Sequence, residues 1–354
     1  MIAADQPEGD RRLVRVRIAS DGRGFVLGDS QTPMVPWGFN FDRLDDGRLL
    51  EDFWESEWPL VESAFAEMKR LGANVVRIHL QTGAFLDSPT RVRESSLKQL
   101  RRLIELAERE RLYLNLTGLG CYHREAVPAW FDELDEQQRW AAQAVFWRAV
   151  AVVGRSSPAV FCYNLMNEPV VPGGDQKRTD WLGGGFGGKH FVQFISLDRG
   201  GRPRPEIARG WIATLVDAIR EVDTETLVTV GLVDWSLDGP GLTSGFIPDQ
   251  IAERLDFLAV HLYPERGKVD EALQKLERFA KVGKPVVIEE TFPLRCDIDE
   301  FADFLVRSRS SASGWFGFYW GVTVEEYRER EPSVGRAMML GWLDLFRTAR
   351  PPVD

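Results

Sequence analysis

The chain has 354 residues, 44% of them hydrophobic and 28% charged, with a formal net charge of −10. This is enough apolar material for a large α/β domain, and the composition excludes a collagen-like, coiled-coil or disordered chain. The acidic balance argues against nucleic acid or an anionic membrane as a partner, because both attract basic surfaces. Neutral, water-soluble substrates remain open.

Residues 13–18 alternate apolar and basic, Asp21 to Gly24 supply a turn, and residues 25–27 return. A β-hairpin is therefore expected within residues 1–30, placed to close the bottom of a barrel. Beyond it the pattern alternates between strand and helix. Short apolar strands are expected at 35–40, 74–79, 112–117, 160–167, 226–231, 257–261, 286–290 and 314–320. Stretches of helical period lie between them at 60–71, 96–110, 136–153, 206–222, 269–281 and 298–308. Such alternation implies parallel pairing through crossovers, and eight units in about 300 residues fit a (β/α)8 TIM barrel. The whole chain, 1–354, is read as a single domain of this kind. An open doubly wound sheet is the rival, but Trp37-Gly38-Phe39-Asn40 is not the Gly-x-Gly-x-x-Gly phosphate loop that such a sheet carries after its first strand. Residues 170–205 break the rhythm with a long Gly-rich segment directly after strand four. Loops of this length are usually functional or disordered. This one is expected to form a wall of a substrate cleft and to close one end of it, favouring short chains or terminal sugars.

Metal and redox chemistry have little to work with. Cys121, Cys162 and Cys296 are widely spaced, and the histidines are His79, His123, His190 and His261, with no His-x-His, His-Glu-x-x-His or Cys-x-x-Cys. No metal site and no cofactor are expected. No apolar stretch is long enough to span a membrane, and the first residues lack the apolar core of a signal peptide. The compartment stays open: secreted or periplasmic if a signal peptide was removed, cytoplasmic otherwise.

Barrel enzymes build their sites at the C-terminal ends of the strands. Strand four ends in Asn167-Glu168-Pro169, where proline marks the end of the ladder. Strand seven ends in Glu289-Glu290, and consecutive residues point to opposite sides, so one of the two faces the site. Strand two carries Arg77 in an apolar run, which demands an anionic partner. Strand six ends in His261-Leu262-Tyr263 and strand eight in Tyr319-Trp320. Two glutamates brought to one rim are the machinery of glycoside hydrolysis: one protonates the leaving oxygen, the other attacks or activates water.

With these motifs the chain resembles the (β/α)8 retaining glycosidases of the cellulase and mannanase type, glycoside hydrolase family 5. The resemblance runs from Trp37 to Trp320 and rests on Gly38-x-Asn40, Arg77, Asn167-Glu168-Pro169, His261-x-Tyr263, Glu290 and Trp320. It implies a retaining hydrolase of a β-linked glycan or oligosaccharide, with Glu168 as acid/base and Glu290 as nucleophile. It further implies that Arg77 and Tyr263 keep the nucleophile ionised, that Asn167 binds the sugar 2-hydroxyl, and that His261 lies near the acid/base. The preference for Glu290 over Glu289 comes from the family pattern Glu-aromatic-Gly, from which Thr291-Phe292 departs. The family often carries Asp-x-His after strand three; here His123 stands in a shifted position. Asn40, Trp181, Trp235 and Trp320 complete the candidate sugar contacts, with Tyr122, Phe186 and His190 nearby in sequence terms. The alternative is a carbohydrate-binding barrel that has lost catalysis, against which the two intact glutamates argue.

Overall fold

The computed structural model describes residues 12–174, 177–239 and 241–351. Eight strands form a closed barrel. They are β1 Trp37–Asn40, β2 Val75–Gln81, β3 Tyr113–Gly120, β4 Val160–Asn167, β5 Leu227–Val233, β6 Leu258–His261, β7 Val286–Glu290 and β8 Gly314–Phe318. Every neighbour pair is parallel, and closure comes from β8 lying beside β1 with Phe318 opposite Asn40. The (β/α)8 barrel expected from the strand–helix alternation is therefore present, with β4 and β7 at the expected bounds.

The strands alternate between two environments, as a period of two requires. Outward residues such as Val76 and Ile78, Leu114 and Leu116, Val228 and Val230, and Ile288 join the large core beneath the helices. Inward residues form layers. Val75, Tyr113, Phe161, Leu227, Val287 and Phe316 make an apolar layer at the N-terminal end. Above it the interior turns polar: Asn40, Arg77, Asn115, Thr117, Asn164 and Glu289 are all buried. Buried polar side chains are tolerated only in a connected hydrogen-bond network, and that network supports the site.

The N-terminal hairpin is present and extends into a three-stranded antiparallel sheet of Val16–Ile18, Phe25–Leu27 and Thr32–Met34. Residues 1–11 of the expected 1–30 segment lie outside the described residues. Phe25 packs edge-on against Phe161 and Phe257 at 5.2 and 5.3 Å, so this sheet plugs the barrel floor.

Two of the outer helices start at side-chain caps that the sequence offers. Asp135 and Asp297 each accept from the backbone three residues on, opening Glu136–Gly154 and Ile298–Arg307 with capping boxes. The helix Val334–Thr348 was not anticipated; Gly335, Gly341 and the exposed Val334 blur its apolar stripe. Its Trp342 lies so close to β8 that a Cβ on Gly317 would come within 1.9 Å of the indole, so only glycine fits there. No helix among the described residues is long and apolar enough to cross a membrane.

Candidate active site

At the C-terminal end of the barrel a cleft of about 750 Å³ is lined by residues from most of the strand ends, among them Asn167, Glu168, Tyr263, Glu290 and Trp320. A cleft of this size suits a short oligosaccharide rather than a single small ion.

Glu290 is the last residue of β7 and its side chain is 12% exposed. Arg77 Nη1 donates to Oε1 at 2.6 Å and the Tyr263 hydroxyl donates to Oε2 at 2.8 Å. Burial pushes the Glu290 carboxyl up, but the charges of His261 and Arg77 and the hydrogen bonds from Tyr263 and Arg77 outweigh it and hold it below its ordinary value. It is an ionised carboxylate facing the cleft.

Strict alternation does not separate the two glutamates: the register between β6 and β7 shifts at His261, both carboxylates meet Arg77 and His261, and Glu290 opens to the cleft while Glu289 lies in the barrel interior. It is fully buried; Asn164 Nδ2 donates to it at 2.6 Å, Asn115 Nδ2 donates to its second oxygen, and Arg77 Nη2 lies 3.4 Å away. Burial opposes its charge, yet Arg77 and His261 hold its carboxyl low as well. One guanidinium thus balances two adjacent carboxylates. Arg77 is itself held by Thr117, Asn40 and Asn167, which accept from it at 2.8, 2.8 and 2.9 Å. Although burial disfavours its charge, the facing carboxylates keep it firmly protonated.

Glu168 follows β4 with φ of +47°, a left-handed conformation that is rare for a residue other than glycine, and it precedes Pro169. Such strain costs about 1–3 kcal/mol and persists where the surroundings over-determine it. Here the backbone N–H of Glu168 donates to Gly231 at 3.0 Å and its carbonyl accepts from Gln193 at 3.3 Å. The result aims the carboxylate into the cleft, 18% exposed, with His261 Nδ1 at 2.8 Å from Oε1. Burial works against the imidazolium, but Glu290 and the hydrogen bonds to Glu168 and Glu289 push His261 up to about 9. His261 is therefore charged at neutral pH and donates to Glu168.

One carboxylate oxygen each of Glu168 and Glu290 and a ring nitrogen of His261 all lie within 4.8 Å of one another. The spacing would admit a cation, but the donor set does not favour one. Both oxygens of Glu290 are already engaged by Arg77 and Tyr263, and a metal there would face a guanidinium and an imidazolium.

The cellulase model, glycosyl hydrolase family 5, matches residues 38–315. The chain belongs to glycosyl hydrolase family 5. Its fold is shared with solved structures at low identity. An exo-β-1,4-mannosidase from Opitutaceae bacterium strain TAV5 superposes with a TM-score of 0.63 at 18% identity, over 85% of this chain and 54% of that one. This chain thus spans about half of that mannosidase's length. A β-mannanase from the blue mussel Mytilus edulis gives 0.64 at 17% identity, over 97% and 99% of the two chains. A Streptomyces cattleya protein described as GH5_18, in complex with GlcNAc, gives 0.61 at 17% identity, over 90% and 82%. No curated protein matches the chain.

In this family-5 barrel the residues singled out in the sequence fall into three groups. Glu168, Glu290, Asn167, Tyr263 and Trp320 line the cleft. Asn167 is engaged from both ends, accepting from Arg77 and donating to Phe191 O at 3.2 Å. Arg77, Asn40 and His261 lie just beneath the cleft surface, each buried and committed to protein partners: Arg77 sits against Glu290 and His261 against Glu168, and only the reading of Asn40 as a direct sugar contact is corrected. Asn40 donates to the carbonyls of Glu289 and Gly317, both at 2.9 Å, which makes it a brace between β1, β7 and β8. The third group lies away from the cleft. Trp181 is buried with the Arg139 guanidinium stacked on it at 3.9 Å, because the long loop turns that indole toward the outer helices. Trp235 sits half-buried in a single turn after β5, where its neighbour Asp234 lines the cleft instead. His123 faces outward to Asp52, 3.3 Å away. The long loop does supply a wall, through Gly184, Phe186, Phe191 and Val192.

Sequence reasoning missed Asp42, Arg43, His79, Phe292 and Phe318, all of which line the cleft. Two of these carried a signal. Asp42 stands two residues after Asn40 and His79 two after Arg77, so each shares a face with a residue already singled out.

Proposed function

We propose that this family-5 chain hydrolyses a β-linked glycan or oligosaccharide with retention of configuration. Glu290 is the nucleophile and Glu168 the acid/base. The observation that carries this reading is the pairing of an ionised Glu290 with a cleft-facing Glu168 whose oxygens approach within 4.8 Å. Retaining enzymes set their carboxyl groups about 5–5.5 Å apart, whereas inverting ones need about 6.5–9.5 Å to admit water between them.

In the first step Glu290 attacks the anomeric carbon. The glycosidic C–O bond breaks, and the proton of Glu168 passes to the departing oxygen. His261 donates to Oε1 of Glu168, which leaves Oε2 to carry that proton. In the second step Glu168 takes a proton from water, the hydroxide oxygen bonds the anomeric carbon, and Glu290 is released as a carboxylate. Arg77 and Tyr263 disperse the charge that returns to Glu290. Carboxylates and water suffice for both steps. The structural neighbours are described as mannosidases and mannanases, which makes β-1,4-mannosides the first members of a substrate panel.

The test is the anomer released. Proton NMR during the first minutes of hydrolysis of an active β-glycoside should show the β-anomer appearing before mutarotation. The α-anomer first would mean inversion. Sugar binding without turnover across the panel would favour a binding barrel instead.

A further inference from the structure

Taking the two-glutamate reading as its basis, we propose that the cleft is blind beyond the nucleophile and that Asp42, with Arg43 and His79, clamps the non-reducing terminal sugar. The enzyme is then an exo-glycosidase that removes one sugar at a time.

The blind end is built by loops from three strands. After β4 the long loop passes over the end of β3, where His190 N–H donates to Tyr122 O at 3.0 Å and Phe191 packs on Tyr122 at 4.8 Å. It then reaches the loop after β1: Lys189 Nζ lies 3.2 Å from where a Cβ on Gly47 would stand. The β1 loop is in turn stitched to the end of β8. Asp45 N–H donates to Trp320 O at 2.9 Å, Asp45 pairs with Arg330 at 2.6 Å, and the Arg43 guanidinium lies 4.7 Å above the Trp320 ring. A wall thus runs from β8 through β1 and across to β4.

Inside that wall three polar atoms are buried without a hydrogen-bond partner: Asp42 Oδ1, His79 Nε2 and Trp320 Nε1. All three residues line the cleft, and Asp42 and His79 are each only 3% exposed. Buried polar atoms are rarely left unpaired unless a ligand completes them. Asp42 is fixed from its other oxygen by Arg43 at 2.7 Å, and His79 from its other nitrogen by the Tyr122 hydroxyl at 2.5 Å. Burial and the nearby Arg77 charge keep His79 neutral, so it presents a hydrogen-bonding nitrogen rather than a cation. A carboxylate acceptor beside an imidazole and an indole N–H matches adjacent hydroxyls of a pyranose.

The side on which they stand decides which end of the glycan is held. The anomeric carbon must lie at Glu290 on β7 and the leaving oxygen at Glu168 after β4. Asp42 and Arg43 follow β1 and Trp320 follows β8, two strands and one strand from β7 but three and four from β4, so they meet the glycon and not the leaving group, while His79 stands near the end of β2 between the two carboxylate strands. The opposite rim, lined by Asp234, Lys268, Glu271 and Arg295, receives the remainder of the chain.

The test uses β-linked oligosaccharides of several sugars carrying a fluorophore at the reducing end, with and without a 4,6-O-ethylidene cap on the non-reducing sugar. The wild-type chain should release only monosaccharide at early conversion, leaving the labelled chain one sugar shorter, and the cap should lower kcat/KM at least 100-fold. Asp42→Asn should lower kcat/KM on the uncapped substrate about 10- to 100-fold, the range for a hydrogen bond to a charged group, and should shrink the penalty for the cap. Arg43→Met should act in the same direction. Labelled fragments of several lengths from the outset, or equal turnover of capped substrate, would overturn the proposal. So would Asp42→Asn with wild-type melting and unchanged discrimination. A wild-type chain inactive on every uncapped substrate, aryl glycosides included, would overturn the hydrolase reading itself.

Discussion

Glu290→Gln is expected to lower kcat on an aryl β-glycoside by on the order of 10⁴-fold or more, the scale on which loss of a nucleophile acts, with melting close to that of the wild type. The amide keeps an oxygen to accept from Arg77 and turns its N–H₂ toward the Tyr263 hydroxyl, which can accept, but it loses the charge and the nucleophilicity. Glu289→Gln should behave differently. Its two oxygens accept from Asn115 and Asn164, so an amide there turns an N–H₂ toward an N–H₂, and the loss falls on stability first. Steady-state kinetics and thermal melts on both variants separate the roles. An active Glu290→Gln variant beside an inactive, well-folded Glu289→Gln variant would exchange them. Azide gives a second readout: with Glu290→Ala it should form the α-glycosyl azide, because the anion enters from the face the carboxylate has left.

Arg77→Met is expected to destabilise the protein by about 3–5 kcal/mol, the cost of removing one partner from a buried ionic network, and to abolish activity together with it. The guanidinium is fully buried between Glu289 and Glu290, and the other cation that meets both carboxylates, His261, is farther from Glu290 at 3.5 Å and is shared with Glu168. The pH dependence carries the sign. Both carboxyls are held low in the folded wild type, so their contribution is present above about pH 4.5, the ordinary glutamate value, and is lost as pH falls through the depressed range. In Arg77→Met the same carboxyls lack that cation and take up protons more readily. Its deficit against the wild type should therefore be largest near pH 7 and shrink toward pH 4.5. Melting curves at the two pH values check this, and a deficit independent of pH would mean that lost packing dominates.

The barrel was legible because its signal is repeated: apolar strands buried on both faces, spaced by amphipathic helices, leave few other architectures. Glu168, Glu290 and Tyr263 were legible because strand ends place side chains predictably. What escaped was set by loops and by layering. Trp181 and Trp235 are aromatic and near strand ends, yet the long loop turns one outward and a single turn after β5 withholds the other; neither turn has a periodic signature. Asn40 was read as a sugar contact because a polar residue in a strand looks functional, whereas Arg77 was read as the partner of an anion. Here they form the polar layer beneath the site, whose cost is met by the carboxylates they hold. Asp42 escaped although it stands two residues after Asn40, because it lies beyond the end of β1, where strand alternation no longer fixes side-chain direction.

The most direct measurement is covalent trapping. A 2-deoxy-2-fluoro β-glycosyl fluoride slows both steps but leaves a good leaving group, so the first step outruns the second and the glycosyl-enzyme accumulates. Mass spectrometry of the digested protein should find one fluorosugar per chain, attached at Glu290, and the label should fail to appear in Glu290→Gln. A label on Glu289 or Glu168, or time-dependent inactivation without any covalent adduct, would contradict the assignment of Glu290 as nucleophile.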